Sequence, residues 1–169
     1  MQGKIFTISF LILLNYIADE NCPTIISRSQ WGGQEATNMN YLILPIPYIV
    51  IHHTVTPECT TKVSCSARVE NIRSYHMNDL GCGWNREGAH TYGYNKRSLG
   101  IAFIGNFQEK LASDNMMEAA HKLILCGKSK EIFREDVHVI AARQVGSTAS
   151  PGLELYGQIQ NWPEWFSNP

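Results

Sequence analysis

The seven residues Tyr48-Ile49-Val50-Ile51-His52-His53-Thr54 constrain the fold more than any other stretch. Tyr48 to Ile51 are aromatic or β-branched, which is the composition of a buried strand. Two histidines follow where that strand should end, and a strand end is a rigid place to present polar side chains to a ligand. Side chains alternate across a strand, so His52 and His53 should point to opposite faces and hold different roles. Taken alone, the pair reads equally well as a hydrogen-bonded edge histidine beside a solvent-facing one, or as part of a site.

The chain has 169 residues, enough for one domain, and its 44% hydrophobic content is ample for a core. The net charge of −1 and the lack of any block of like charges exclude a nucleic-acid-binding class. Residues 1–18 read as a secretory signal peptide. Lys4 supplies the positive region, and Ile5 to Leu14 form an apolar run too short to span a bilayer. Ala18 stands at the expected cleavage point, although Tyr16 departs from the small-residue rule. No other apolar run is long enough for a membrane helix. The folded domain is therefore expected over residues 19–169, outside the cell.

Secretion gives the five cysteines meaning, because oxidising compartments favour pairing. Cys59 and Cys65 enclose a short polar loop and can close a local staple. Cys22, Cys82 and Cys126 remain, an odd count that leaves one thiol over, free or paired between chains.

A short extended arm is expected from Cys22 to Trp31, ended by a turn at Gly32-Gly33, then a loop from Asn38 to Pro47. Ser66 reads as the cap of a helix carrying Val69, Ile72 and Tyr75 and stopping near Gly81. Gly81 to Asn95 reads as a loop whose small and aromatic residues make an open ledge suited to carbohydrate. Leu99 to Gly105 reads as a second buried strand. Ser113 and Asp114 cap a helix through Cys126, ended by Gly127, and Val137 to Ala141 form a third strand. A loop from Arg143 to Gly152 leads to a last helix with Leu153, Tyr156, Ile159 and Trp162, stopped by Pro163. Alternating strands and helices imply an α/β fold with a central mixed sheet flanked by helices.

The ordered set of motifs resembles the peptidoglycan recognition proteins, which share a fold with the phage-type N-acetylmuramoyl-L-alanine amidases. The matching segments are Pro23 to Trp31, Ile49 to Thr54, the Cys59 and Cys65 pair, Asn71 to Met77, Gly88 to Asn95, Ser98 to Asn106, Ser150-Pro151-Gly152 and Gln160 to Pro163. The resemblance implies a secreted innate-immunity protein that binds bacterial muropeptide in a groove over the sheet, with downstream immune proteins as further partners. Carried over by position, the ligand-contacting set is His53, His76, His90, Tyr92 and Asn95. It also implies a Cys59–Cys65 disulfide and a second bridge from Cys22 to Cys126, which leaves Cys82 as the odd thiol.

The sequence departs from that family twice. Catalytic members hold one zinc with two histidines and a cysteine, leaving a position for the water that attacks the amide. His52 matches the first ligand, but the pattern His-Arg-Asp-Val-x-x-Thr-x-Cys-Pro-Gly here reads Ala142 to Gly152, with Ala142 and Ser150 at the other two ligand positions. Alanine cannot ligate and a serine hydroxyl is a poor zinc donor. Thr148 persists. His138, four strand positions upstream of Ala142, lies roughly 13 Å away along the strand and is a poor substitute. The expected chain is therefore not an enzyme and carries no cofactor. A zinc-dependent amidase, or a truncated form that no longer binds, are the alternatives.

The second departure follows Cys82. The family places an Asp-Ile-Gly-Tyr-Asn-Phe strand, a turn and a strand ending Tyr-Glu-Gly before the Gly-Trp that here is Gly83-Trp84. On the order of 20 residues are absent by ordinary strand and turn lengths, and part of the sheet with them. The clean join has the form of a skipped exon or a gene-model error. The residue pair that selects between lysine-type and diaminopimelate-type stem peptides aligns with Gly81 and Cys82, and the selecting arginine falls at the junction, where none stands.

Overall fold

A computed structural model of the chain describes residues 22–33, 40–75 and 83–169. The expected signal peptide, His76, the helix stop near Gly81 and the Cys82–Gly83 junction lie outside the described residues. Three strands form one sheet in the order β2-β1-β3: β1 is Ile46–His53, β2 is Ser98–Phe103 and β3 is Phe133–Ala141. Four helices accompany them: α1 (Lys62–Tyr75), α2 (Asp114–Ser129), α3 (Ala142–Val145) and α4 (Leu153–Ile159). Among the described residues, no helix is long and apolar enough to cross a membrane.

β1 is central because its sequence tolerates burial on both faces. Ile49, Val50 and Ile51 are fully buried. Both neighbours run parallel to it, with Ile51 opposite Ile101 on one side and Ala141 on the other. The α/β layering is as expected, and among the described residues the three strands of the sheet all run parallel, with the antiparallel bridge Tyr41–Arg86 isolated from them.

The sheet separates two apolar clusters. On one face Ile49 and Ile51 join Phe103, Phe107, Ile124, Phe133, Val139, Leu155 and Ile159. On the other, Val50, Ile140 and Ala142 pack with Tyr48, Tyr94, Val145 and Phe166. The C-terminal segment seals the outer edge of β3. The Val139 N–H donates to Glu164 O at 2.7 Å, and the Phe166 N–H donates to Val139 O at 2.9 Å. Glu164 is itself buried and ties that segment to α2, accepting from Lys128 Nζ at 2.8 Å.

Several sequence expectations shift. β1 begins at Ile46, inside the expected Asn38–Pro47 loop, because the Ile46 N–H already donates to Ile132 O at 2.7 Å. β2 is half-buried rather than buried: Ser98 and Phe103 are buried, whereas Gly100 and Ala102 are exposed. α1 starts at Lys62, before Ser66, because Thr61 and Ser64 cap each other: the Ser64 N–H donates to Thr61 Oγ1 at 3.1 Å and the Thr61 N–H to Ser64 Oγ at 3.2 Å. α2 runs through Gly127 to Ser129, and Ser113 caps it as expected. A short helix, α3, occupies the start of the expected Arg143–Gly152 loop. α4 ends at Ile159, so Trp162 sits in the following turn, where its N–H donates to Ile159 O at 3.1 Å.

Both disulfides implied by the resemblance are present. Cys22–Cys126 joins the N-terminal arm to α2, and Cys59–Cys65 spans the start of α1. The arm ends in a 3-10 turn, Arg28–Trp31, against which α1 packs.

Candidate functional site

Strand alternation places His52 and His53 at the carboxyl end of β1 on opposite faces. His53 turns toward the main core. Its Nδ1 accepts from the Phe107 N–H at 3.2 Å, and its own N–H donates to Ser150 Oγ at 3.1 Å. His53 is therefore held at both ends by neighbouring loops, and its proton resides on Nε2.

His52 turns to the other face and meets the loop before β2. That loop is built around Asn95, whose Oδ1 accepts from the His90 N–H at 3.0 Å and the Thr91 N–H at 2.7 Å. The Tyr94 N–H and Asn95 N–H both donate to Thr91 O, at 3.0 and 3.1 Å. Gly93 supplies the left-handed residue, with φ at +80°, that closes this tight turn. The fold of the loop brings the His90 ring edge-on to His52, with centroids 5.4 Å apart.

The Thr91 hydroxyl sits between the two rings, 3.2 Å from His52 Nε2 and 3.0 Å from His90 Nδ1. One hydroxyl hydrogen can satisfy only one ring nitrogen, so the other ring must donate to the oxygen. His90 Nε2, on the far side of its ring, is buried with no hydrogen-bond partner. The Thr91 hydroxyl donates to one ring nitrogen and accepts from the other. The rings are thus ordered by a single hydroxyl.

Burial holds all three imidazoles neutral. The His52 pKa falls to about 4, first through burial and then through the proximity of His90 and His53. Burial lowers His53 and His90 as well, with the Ser98 backbone partly offsetting the effect at His90. The site offers neutral donors and acceptors rather than positive charge.

The positions matched to metal ligands lie around this same strand end. Ser150 is placed by its hydrogen bond from His53 and by Thr148, whose Oγ1 accepts from the Ser150 N–H at 3.1 Å. Gly152 has φ at +94°, and a Cβ there would lie 2.3 Å from the Phe107 carbonyl, so only glycine lets this loop close on the one after β2. Ala142 follows directly on β3 and is buried against Val50 and Ile140. His138 lies elsewhere, opposite Tyr48 in register and stacked on Phe166 at 4.3 Å.

Of the expected ligand residues, His90 and Asn95 lie on the loop that packs against His52, while His53 stands at the same strand end on the opposite face. Tyr92 stands on the same loop and is 98% exposed. The Asn95 oxygen is spent on the loop, which leaves its amide nitrogen for a ligand. His76 lies outside the described residues. Sequence reasoning passed over Thr91 as a residue with a role of its own. A hydroxyl flanked by a histidine in a glycine-rich loop is a weak signal until the fold brings His52 to it. A separate cleft of about 270 Å³ opens at the other end of the strands, lined by Tyr48, Arg97, Arg134, Asp136 and His138. None of the expected ligand residues lines it.

Comparison with known proteins bears on the same region. A family model described as N-acetylmuramoyl-L-alanine amidase matches residues 43–153, from the loop before β1 to the start of α4. Peptidoglycan-recognition protein SA of Drosophila melanogaster is 46% identical, over 88% of this chain and 83% of its own. The X-ray structure of Apis mellifera PGRP-SA superposes with a TM-score of 0.82 at 58% identity, covering 86% of this chain and 100% of that one. A structure of peptidoglycan recognition protein-LE in complex with tracheal cytotoxin, described as monomeric diaminopimelic acid-type peptidoglycan, has a TM-score of 0.78 at 34% identity, over 84% of this chain and 95% of its own. The Drosophila match runs over 168 residues but takes up 88% of the 169 here, about 149, so about 19 aligned positions have no counterpart in this chain.

Proposed function

This chain belongs to the peptidoglycan recognition protein family, and from that premise we propose that it is a secreted receptor that binds bacterial muropeptide without cleaving it. The names of its relatives support peptidoglycan as the ligand. The observation that carries the non-catalytic reading is the donor set at the strand end. His52 brings one imidazole already engaged by Thr91, Ala142 brings a methyl group, and the Ser150 hydroxyl already accepts from His53. Those groups do not fit a zinc that needs three protein ligands and a water, so no hydrolytic step is derived through a metal. Two disulfides in the fold support secretion.

Binding is assigned to the loop that Asn95 holds. Neutral imidazoles and the Asn95 amide can hydrogen-bond peptide and sugar groups, and the exposed Tyr92 ring offers a face for the apolar side of a sugar. Co-sedimentation of the purified secreted protein with insoluble lysine-type and diaminopimelate-type peptidoglycan tests this. The expected result is retention on at least one polymer, weakened about tenfold by Tyr92→Ala, a loss of about 1.4 kcal/mol. Tyr92 supports nothing else, so the variant should fold normally. Zinc-dependent release of stem peptide would overturn the non-catalytic reading. A second reading, a truncated form that has lost binding, is favoured by the half-exposed β2 and would appear as soluble, monodisperse protein that binds neither polymer.

A further inference from the structure

The cleft near the start of β1 and β2 is separate from the His52 site. Tyr48 and His52 share one face of β1, four residues and roughly 13 Å apart. Between them Tyr94, Val145 and Phe166 pack over the buried Val50. The cleft itself is lined by Pro47, Tyr48, Arg97, Arg134, Asp136 and His138. Three elements supply these groups. Arg97 ends the loop before β2, next to Ser98, which stands opposite Tyr48 in register. On the other side Tyr48 stands opposite His138. β3 takes five residue steps from Phe133 to His138 where β1 takes two from Ile46 to Tyr48, so β3 bulges outward at this point. Phe133 and Val137 stay in the core, which leaves Arg134, Asp136 and His138 on the cleft side of the strand.

The donors are fixed without a ligand. Arg97 sits in the corner of two rings that meet at 84°, its Cζ 4.3 Å from the Tyr94 centroid and 5.2 Å from that of Tyr48. Those contacts cover the flat faces of the guanidinium and leave its N–H edge. Arg134 Nε and Nη2 donate to Asp136 Oδ1 and Oδ2 at 2.8 and 2.9 Å, which leaves Nη1. The His138 ring is stacked on Phe166, so its polar edge rather than its face is offered. Among the described residues, the Arg97 guanidinium, the Tyr48 hydroxyl and the His138 ring nitrogens have no hydrogen-bond partner. Asp136 is the single carboxylate in the lining against two guanidinium groups, so the cleft is net positive.

We propose that this cleft binds a phosphate group carried by a small soluble ester or a lipid headgroup. Arg97 already lies over the Tyr48 ring, so a sugar finds no open aromatic face here, and the unpartnered groups are nearly all donors. That pattern selects an oxyanion. A planar carboxylate is satisfied by a single guanidinium fork, whereas these donors come from β1, β3 and the loop before β2 and suit the several oxygens of a tetrahedral group. Asp136 holds Arg134 in place and limits the positive excess to one charge, which matches a phosphate monoanion. The volume of about 270 Å³ lies just under that of clefts for drug-sized ligands, so the group attached to the phosphate is small.

Two-dimensional amide NMR of the whole secreted chain, titrated with inorganic phosphate, glycerol 3-phosphate or acetate at constant ionic strength, tests the proposal. The expected result is saturable phosphate and glycerol 3-phosphate binding, with Kd on the order of 1 mM and shifts centred on Tyr48, Arg97 and His138. Arg97→Gln and Arg134→Gln should each weaken it about fivefold. Asp136→Asn, which frees the Arg134 fork, should strengthen it. Should Arg97→Gln unsettle the loop, Arg134→Gln decides, because that side chain is exposed and pairs only with Asp136. Lys122→Gln, on an exposed position of α2 across the sheet, should change nothing. Flotation with vesicles containing phosphatidic acid, but not with phosphatidylcholine alone, would place the phosphate on a lipid; binding of the soluble ester without flotation would place it in solution. The absence of saturable shifts, acetate binding as tightly as phosphate, or equal losses in Arg134→Gln and Lys122→Gln would overturn the assignment. None of these readouts uses peptidoglycan.

Discussion

His52 carries the largest electrostatic consequence of any single residue here. Its ring is mostly buried, and its pKa falls from an ordinary 6.5 to about 4. The unfolded chain accepts a proton near pH 6.5, while the folded chain refuses it until about pH 4. Stability contributed by the neutral ring is therefore complete above pH 6.5 and declines as the pH falls through that window, by up to about 3 kcal/mol. Urea denaturation at pH 7.5 and pH 5 should show the decline, and His52→Gln should flatten much of it. A slope unchanged in that variant would place the proton uptake on another group. The opposite facing of His52 and His53 was legible from strand alternation alone. The bridge through Thr91 was not, because it joins residues 39 apart in sequence, and only packing of the His90 loop over Gly100 brings them together.

Elements were legible where local rules decide them and were misjudged where a tertiary contact overrides those rules. Ser113 caps α2 as its side chain predicts, yet Gly127 does not end that helix. A Cβ at Gly127 would stand 2.3 Å from the Phe133 ring and 3.1 Å from Trp84. The glycine is there to let α2 approach β3 and the loop after the junction, not to terminate a turn. Gly127→Ala removes a helix-unfavourable residue, which alone would stabilise by somewhat under 1 kcal/mol. The clash with a buried ring costs about 1 to 3 kcal/mol and should win. A lowered midpoint in thermal or urea unfolding is expected, and a raised one would return Gly127 to the role of a helix stop. β1 and β3 were recognised from their β-branched runs. The half-exposed state of β2 was not, because its sequence is that of a buried strand and its exposure is a property of the whole sheet.

At the scale of the molecule, two disulfides of very different span act on the unfolded chain. Cys59–Cys65 has a sequence separation of 6, and Cys22–Cys126 a separation of 104. In the chain-entropy account the short bridge is worth roughly 2 kcal/mol and the long one between 4 and 5 kcal/mol. Replacing Cys22 and Cys126 with alanine should therefore lower unfolding free energy about twice as much as replacing Cys59 and Cys65, measured by denaturant titration. The reverse order would show that the local staple on α1 carries more of the fold than its span implies. The short staple was legible as a possibility from spacing, whereas the Cys22–Cys126 pairing followed only from family resemblance, since spacing left the partner of Cys22 open. The long bridge also turns most of the domain into a covalent ring, and the ring encloses the Cys82–Gly83 join at which the family resemblance places an absent strand pair. The entropy of closing a ring depends only on the logarithm of its length. Shrinking this one from about 123 to about 104 residues alters that term by roughly 0.1 to 0.2 kcal/mol. Contour length inside the clasp is thus close to free, so what a segment there contributes to stability is its packing and its hydrogen bonds rather than its length.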